Sequence, residues 1–248
     1  MRAVLLPLGF LIVLSLICGS NETALADTET EDDVSLGHFP GALLDDIVAL
    51  PSTENAWWLL GGTALTIGVY QFEDPDGVSK ALDKGIWDGL SDFGNIWGDA
   101  RVQVPLALGS WGVGSWVGNN EIAGLGFDLS RSLLLTYAAV SIIKAGVNRT
   151  RPNGDDYSFP SGHTASAFST AGVVTRRYGG WAGGVAIGLG VLTGMGRMED
   201  MKHYASDVVA GATIGWIIGR TAARHDPPDE MAWQVVPFGS GLAMIKRF

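Results

Sequence analysis

Eight residues in the second half of the sequence have the types and spacing needed to hold and cleave a tetrahedral oxyanion. Lys144 is followed seven residues on by Arg151-Pro152, then come Pro160-Ser161-Gly162-His163, and Arg197, His203 and Asp207 close the series. Three cations suit a phosphate-like anion, since charge-assisted hydrogen bonds are about twice as strong as neutral ones. Pro160 discourages helix before it and Ser161 is a good N-cap. The helix-start N–H groups of Ser161 and Gly162 would then add an anion site of their own. His163 and His203 belong to the one residue type that ordinarily titrates near neutrality. Asp207, four residues past His203, shares a helical face with it. A lone Arg-Pro or a lone histidine is more often a salt bridge or a satisfied helix end. The specificity lies in the order and separation of the whole set.

These residues need elements that bring them to one place. Uncharged windows recur at 55–72, 102–120, 132–143, 161–175, 178–196 and 208–219. Most are too short or too polar for a membrane span of about 20 apolar residues, but they suit buried helices. Residues 76–99 carry apolar side chains at three- and four-residue spacing, which predicts one or two amphipathic helices broken near Gly94. His203, Asp207, Gly211, Gly215 and Gly219 fall at successive four-residue steps. On a helix they form one stripe, polar at the top and bare below, that packs closely on a neighbour. Gly180, Gly184 and Gly188 repeat the device. The expected fold is all-α: an antiparallel helical bundle of about six core helices. A short C-terminal β-hairpin is expected from Ala232–Pro237 and Leu242–Phe248 around Phe-Gly-Ser-Gly. In an antiparallel bundle the helix that ends at Lys144 meets the start of the helix carrying His163. The helix that ends at Arg197 likewise meets the start of the one carrying His203. One end of the bundle therefore collects the cations, the amides and both histidines.

Lys-x6-Arg-Pro, Pro-Ser-Gly-His and Arg-x5-His-x3-Asp, in this order, resemble the motifs of the type-2 phosphatidic acid phosphatase and vanadium haloperoxidase superfamily. The resemblance covers roughly residues 100–222 and is strongest over 144–219. It implies that His203 is a nucleophile forming a phosphohistidine, oriented by Asp207. It implies that His163 protonates the leaving oxygen and then activates water. Lys144, Arg151 and Arg197, with the amides of Ser161 and Gly162, would bind the non-transferred oxygens. No metal or other cofactor is implied. Gly196 departs from the pattern, where the family more often has serine before the arginine. With His163 acting protonated and His203 neutral, the rate should be bell-shaped in pH. The alternatives are a soluble periplasmic acid phosphatase of broad specificity, a vanadate-dependent haloperoxidase, and a non-catalytic lipid- or anion-binding envelope protein.

Composition bounds the partners. The net charge is −10, with eleven acids and no Lys or Arg between Asp27 and Ser79. Such a chain is a poor nucleic-acid binder. Substrate candidates are a phosphorylated lipid or a small phosphoester, and the other partner is a membrane surface or bilayer. Residues 1–26 read as an export signal: Arg2, an apolar run to Cys18, and Ala24-Leu25-Ala26 as a cleavage site. Cys18 is the one cysteine, so cleavage removes thiol chemistry. The further divisions are an acidic, solvated segment at 27–54 with an amphipathic turn near 42–50, a helical phosphatase domain at 55–224, and a tail at 225–248. Arg131, Arg176, Arg177, Arg220 and Arg224 fall at the end away from the site. If all six windows span, these arginines put the site outside the cytoplasm, whereas a cleaved signal puts it inside. The reading adopted is an exported, periplasm-facing, membrane-associated envelope protein.

Overall fold

A computed structural model describes residues 34–223 and the strand residues 233–238 and 241–246. The expected export signal lies outside the described residues. Nine helices are described: α1 Phe39–Ala49, α2 Thr53–Tyr70, α3 Pro75–Leu82, α4 Ile86–Trp97, α5 Ala100–Val117, α6 Asn120–Val147, α7 Gly162–Tyr178, α8 Gly180–Glu199 and α9 Ala205–Ala222. Strands β1 Trp233–Phe238 and β2 Gly241–Lys246 pair antiparallel, from Trp233 opposite Lys246 to Phe238 opposite Gly241. The expected hairpin is therefore present.

Short polar side chains start the helices. Ser52 caps α2, Asp74 caps α3 ahead of Pro75, Asp99 caps α5, Asn119 caps α6 and Ser161 caps α7. Each accepts a backbone N–H that the first turn leaves unpaired. Asn148 ends α6 in the left-handed region at φ 44°. The interruption expected near Gly94 lies instead at Asp83–Gly85, where Gly85 has φ 63°. Gly94 sits inside α4, and its bare Cα is what lets α4 press on α8. A Cβ there would lie 2.2 Å from the Leu192 carbonyl oxygen.

Helix α7 is the centre of the bundle, with α5, α6, α8 and α9 packed around it. Its buried residues are small and often hydroxylated: Thr164, Ser166, Ser169 and Thr170 alternate with alanines. Buried hydroxyls cost stability unless bonded, and these are bonded. Ser166 donates to the Gly98 carbonyl, Thr136 bonds Ser169, and Thr170 bonds Gln103. The α9 stripe behaves as its spacing predicts. Cβ atoms at Gly211, Gly215 and Gly219 would lie 2.4, 2.0 and 2.0 Å from the carbonyl oxygens of Ser161, Ala165 and Ser169. The second stripe does not: Gly180, Gly184 and Gly188 face open space, and the close approaches on α8 are at Gly183, Gly190, Gly194 and Gly196. Three- and four-residue repeats overlap so often in this glycine-rich helix that spacing alone selected the wrong set.

The acidic segment expected to be solvated is partly docked. In α1, Phe39 stacks on Trp111 and meets Phe127 edge-on. Asp46 is buried and pairs at 2.7 Å with Arg131, which also binds Asp128 and the Ala222 carbonyl. Arg177 shares Asp128, and Arg220 pairs with Glu54. These arginines therefore serve ion pairs of the fold, which is why their count is a poor guide to sidedness. Helix α2 packs on α9 through Gly62 against Thr213 and Trp58 against Trp216. Its Trp57, Leu59, Leu60, Leu65 and Ile67 are more than half exposed. Among the described helices, α6 alone is long and apolar enough to cross a membrane.

Candidate active site

The ends of α6 and α8 and the starts of α5, α7 and α9 meet at one end of the bundle. His203 lies in the bend between α8 and α9, two residues before the helix rather than on it, with 3% of its surface exposed. Its Nδ1 is 3.6 Å from Asp207 Oδ2. Asp207 is fully buried in the first turn of α9 and is held on every side. Arg149 donates to Oδ1 at 2.8 Å, while the Ser158 hydroxyl and the Tyr204 amide donate to Oδ2. Burial works to raise this carboxyl, but the hydrogen bonds and the Arg149 charge outweigh it and keep it below the usual carboxylate range.

Lys144, in the last turn of α6, donates to the carbonyls of Tyr157 and Ser158 and feels the charges of Arg151, Asp207 and Arg197. Arg197, near the end of α8, is steered by Asn95 Oδ1 at 3.1 Å and Asp200 at 3.4 Å. Its charge reaches both His163 and His203. The predicted cations and both histidines thus share one electrostatic neighbourhood. Two buried nitrogens in it, Arg151 Nε and Arg197 Nε, have no hydrogen-bond partner among the described residues. Buried donors are ordinarily paired, so this cluster is suited to receive an acceptor-rich anion.

Ser161 is one correction. Its amide donates at 3.0 Å to the Asp207 carbonyl, and its hydroxyl caps α7 by accepting from the Thr164 amide. It ties α7 to α9, leaving Gly162 as the predicted amide at the helix start that can face an anion. The histidines supply a second. Burial, with Arg197 adding to it, pushes His163 down to about 4, and burial pushes His203 down to about 4. Both rings are neutral at pH 7 in the unliganded site. That suits an attacking His203, but His163 must gain its proton together with a substrate.

Several contributors were not found by motif spacing. Arg149 lies between the rings of Tyr70 and Tyr204, 5.1 and 3.9 Å from their centroids, and also pairs with Glu73 at 2.6 Å. Glu73 accepts from the Ser206 amide and hydroxyl. The link after α2 is thereby fastened behind Asp207. Arg149 stood in the opening motif, two residues before Arg151, yet nothing in the spacing assigned it to an acid instead of a phosphate. Asn95 fills the place beside Gly196. A Cβ on Gly196 would fall 2.4 Å from the Ser91 carbonyl oxygen and 2.8 Å from Asn95, so the serine expected by resemblance has no room. Pro75, Val78, Met198 and Tyr204 line a recess against His203.

Comparison with known proteins bears on this geometry. The PAP2 superfamily profile matches residues 125–227. A lipid A 1-phosphatase of Porphyromonas gingivalis is 38% identical over 80 residues, 31% of this chain and 18% of that protein. A lipid A 4'-phosphatase of Helicobacter pylori is 28% identical over 131 residues, 48% of this chain and 64% of that protein. The chain thus spans less than two thirds of either relative. Among solved structures, a transmembrane PAP2 type phosphatidylglycerolphosphate phosphatase from Bacillus subtilis superposes with a TM-score of 0.51 at 18% identity, over 68% of this chain and 93% of that one. Aquifex aeolicus LpxE gives 0.46 at 24% identity, over 56% and 87%. The Bacillus structure shows the same helical fold, and the profile match covers every predicted site residue. Over residues 125–227 the chain is similar to the PAP2 superfamily.

Proposed function

We propose that the protein is a phosphatase that hydrolyses a lipid-linked phosphomonoester or diphosphate through a phosphohistidine on His203. The observation that carries this reading is the convergence of a buried His–Asp pair, a second histidine and three cations on one end of the bundle. Neutral His203 attacks phosphorus as the P–O bond to the leaving group breaks, and Asp207 offsets the positive charge that grows on the ring. His163 gives its proton to the departing oxygen. It then accepts one from the water that cleaves the N–P bond, releasing inorganic phosphate and neutral His203. Lys144, Arg151, Arg197 and the Gly162 amide hold the non-transferred oxygens, where their charges stabilise the transition state. Every role falls to a side chain or a backbone amide, so activity should persist in EDTA.

The lipid preference is supported by the names of the relatives and by the exposed apolar face. Trp57, Leu60, Trp116 and Ile142 are each more than 60% exposed. Apolar surface of this extent marks a membrane or partner contact. We read the protein as exported and membrane-associated, with the phosphorylated headgroup reaching His203 at this end of the bundle. Pro75 and Val78 of α3 line the recess beside His203 and are placed to influence which headgroup enters.

The test is trapping by a rapid alkaline SDS quench with a 32P-labelled phosphomonoester. The wild-type chain should give an acid-labile, base-stable phosphoprotein, and His203→Ala should abolish it and lower kcat at least about a thousandfold. Vanadate should inhibit. Bromide oxidation by peroxide in the presence of vanadate, without ester hydrolysis, would replace the phosphatase reading with a haloperoxidase one.

A further inference from the structure

We propose that Asp99 is a positioning residue for His163, orienting its imidazole and balancing the charge of its imidazolium, so that a second histidine–carboxylate pair complements His203–Asp207. The proposal rests on the phosphatase reading. Asp99 lies outside residues 125–227 and outside all three motifs, on the link between α4 and α5. Its Oδ2 is 3.7 Å from His163 Nε2.

That placement is built, not incidental. Arg101 grips the carboxylate as a fork, Nε to Oδ1 at 3.0 Å and a terminal nitrogen to Oδ2 at 2.7 Å, and its amide donates to Oδ1 at 2.8 Å. The preceding residue is wedged against the turn that carries the histidine. A Cβ on Gly98 would lie 2.8 Å from the His163 carbonyl oxygen. Ser166 Oγ lies within hydrogen-bond reach of both that carbonyl, at 2.9 Å, and the Gly98 carbonyl, at 2.8 Å. Gln103 holds the Trp97 carbonyl and bonds Thr170 of α7. The start of α5 and the start of α7 therefore form one seam, and Asp99 is presented to the ring from it.

Three groups act on the His163 ring: Asp99 from the α4–α5 link, Arg197 from α8 and His203 from the bend before α9. Asp99 is the one anion among them. Arg101 holds the Asp99 carboxyl down at about 2, so it stays charged throughout the working range. When the P–O bond breaks, the electron pair goes to the leaving oxygen. That oxygen takes a proton from the imidazolium nitrogen that does not face Asp99, and the ring becomes neutral. Asp99 stabilises the charged ring before the transfer and fixes its plane during it.

The effect should depend on the leaving group. p-Nitrophenolate departs without a proton, whereas an alkoxide needs one. Asp99→Asn removes the charge and keeps a good N-cap; Asp99→Ser does the same if the first variant fails to fold. With the full chain in mixed micelles, either variant should lower kcat on a long-chain alkyl phosphate about tenfold, a fraction of what general acid catalysis supplies. KM should be unchanged, and activity on p-nitrophenyl phosphate should stay within about twofold. The alkaline limb of the kcat profile on the alkyl phosphate, which reports the proton held in the bound complex, should move to lower pH. Equal losses on both esters, or no loss on the alkyl phosphate, overturn the role of Asp99 and leave the phosphatase reading standing. A wild-type chain that cleaves neither ester removes that reading and this proposal with it.

Discussion

Burial takes charge away from a histidine, and at this site it does so twice. With His163 and His203 each pushed down to about 4, neither ring brings a proton to the proposed reaction at neutral pH. A phosphomonoester loses its second proton near pH 6, so its monoanion can deliver the proton that His163 then gives to the leaving group. On an alkyl phosphate, kcat/KM should therefore fall as pH rises through about 6, as the dianion takes over. It should fall again below about 4, as His203 protonates and can no longer attack. A pH–rate series checks this: an optimum between those values is expected, acid of the one that unperturbed histidines would set. That the motif residues meet at one end of the bundle was legible in the sequence because each lies at or beside a helix end; that the Ser161 amide is taken by Asp207 was not. Asp99, Asn95, Glu73 and the acid-binding role of Arg149 were not, because each reaches the site through the packing of another helix, 58 to 102 positions away from its main partner.

Helices α7 and α9 meet backbone to backbone, and glycine is what permits it. Gly215→Ala would put a methyl group 2.0 Å from the Ala165 carbonyl oxygen, with no flexible side chain to yield. It should destabilise by about 3 kcal/mol or more, at the upper end of overpacking costs. Gly184→Ala meets nothing within 4 Å and should stabilise α8 by up to about 1 kcal/mol through helix propensity. Thermal melts of the two variants against wild type test the contrast. The α9 stripe could be read from sequence because its four-residue repeat continues a polar one that has a chemical purpose. The α8 stripe could not, because nothing but the partner helix says which glycines face inward. The break at Gly85 was likewise obscured: apolar spacing runs on across it, and a positive φ leaves no periodic mark.

The whole molecule should respond to acid in a defined direction. His163 and His203 have folded values near 4 against the ordinary 6.5, so the unfolded chain binds protons first. Their contribution to stability is complete above about 6.5 and is lost as pH falls from there to about 4. Asp46 acts oppositely: burial raises it to about 6, a penalty present above that value and relieved as pH falls toward 3.8. Two histidines against one acid predict a melting temperature that drops between pH 6.5 and 4, and a shallower drop in His203→Gln. That the protein is an antiparallel helical bundle with Lys144, Arg151 and Arg197 at one end was legible from window lengths and helix-end residues. The docking of α1 was not, because an acidic stretch gives no hint that one of its carboxylates will be buried against Arg131. The bare contact between α7 and α9 has a last consequence. With three successive turns touching through carbonyl oxygens and Cα atoms, neither helix can slide along the other without collision. On the proposed mechanism the distance from the His163 turn to the first turn of α9, where Asp207 sits, is thus a fixed ruler, and differences among headgroups would be taken up by α3 and the links around it.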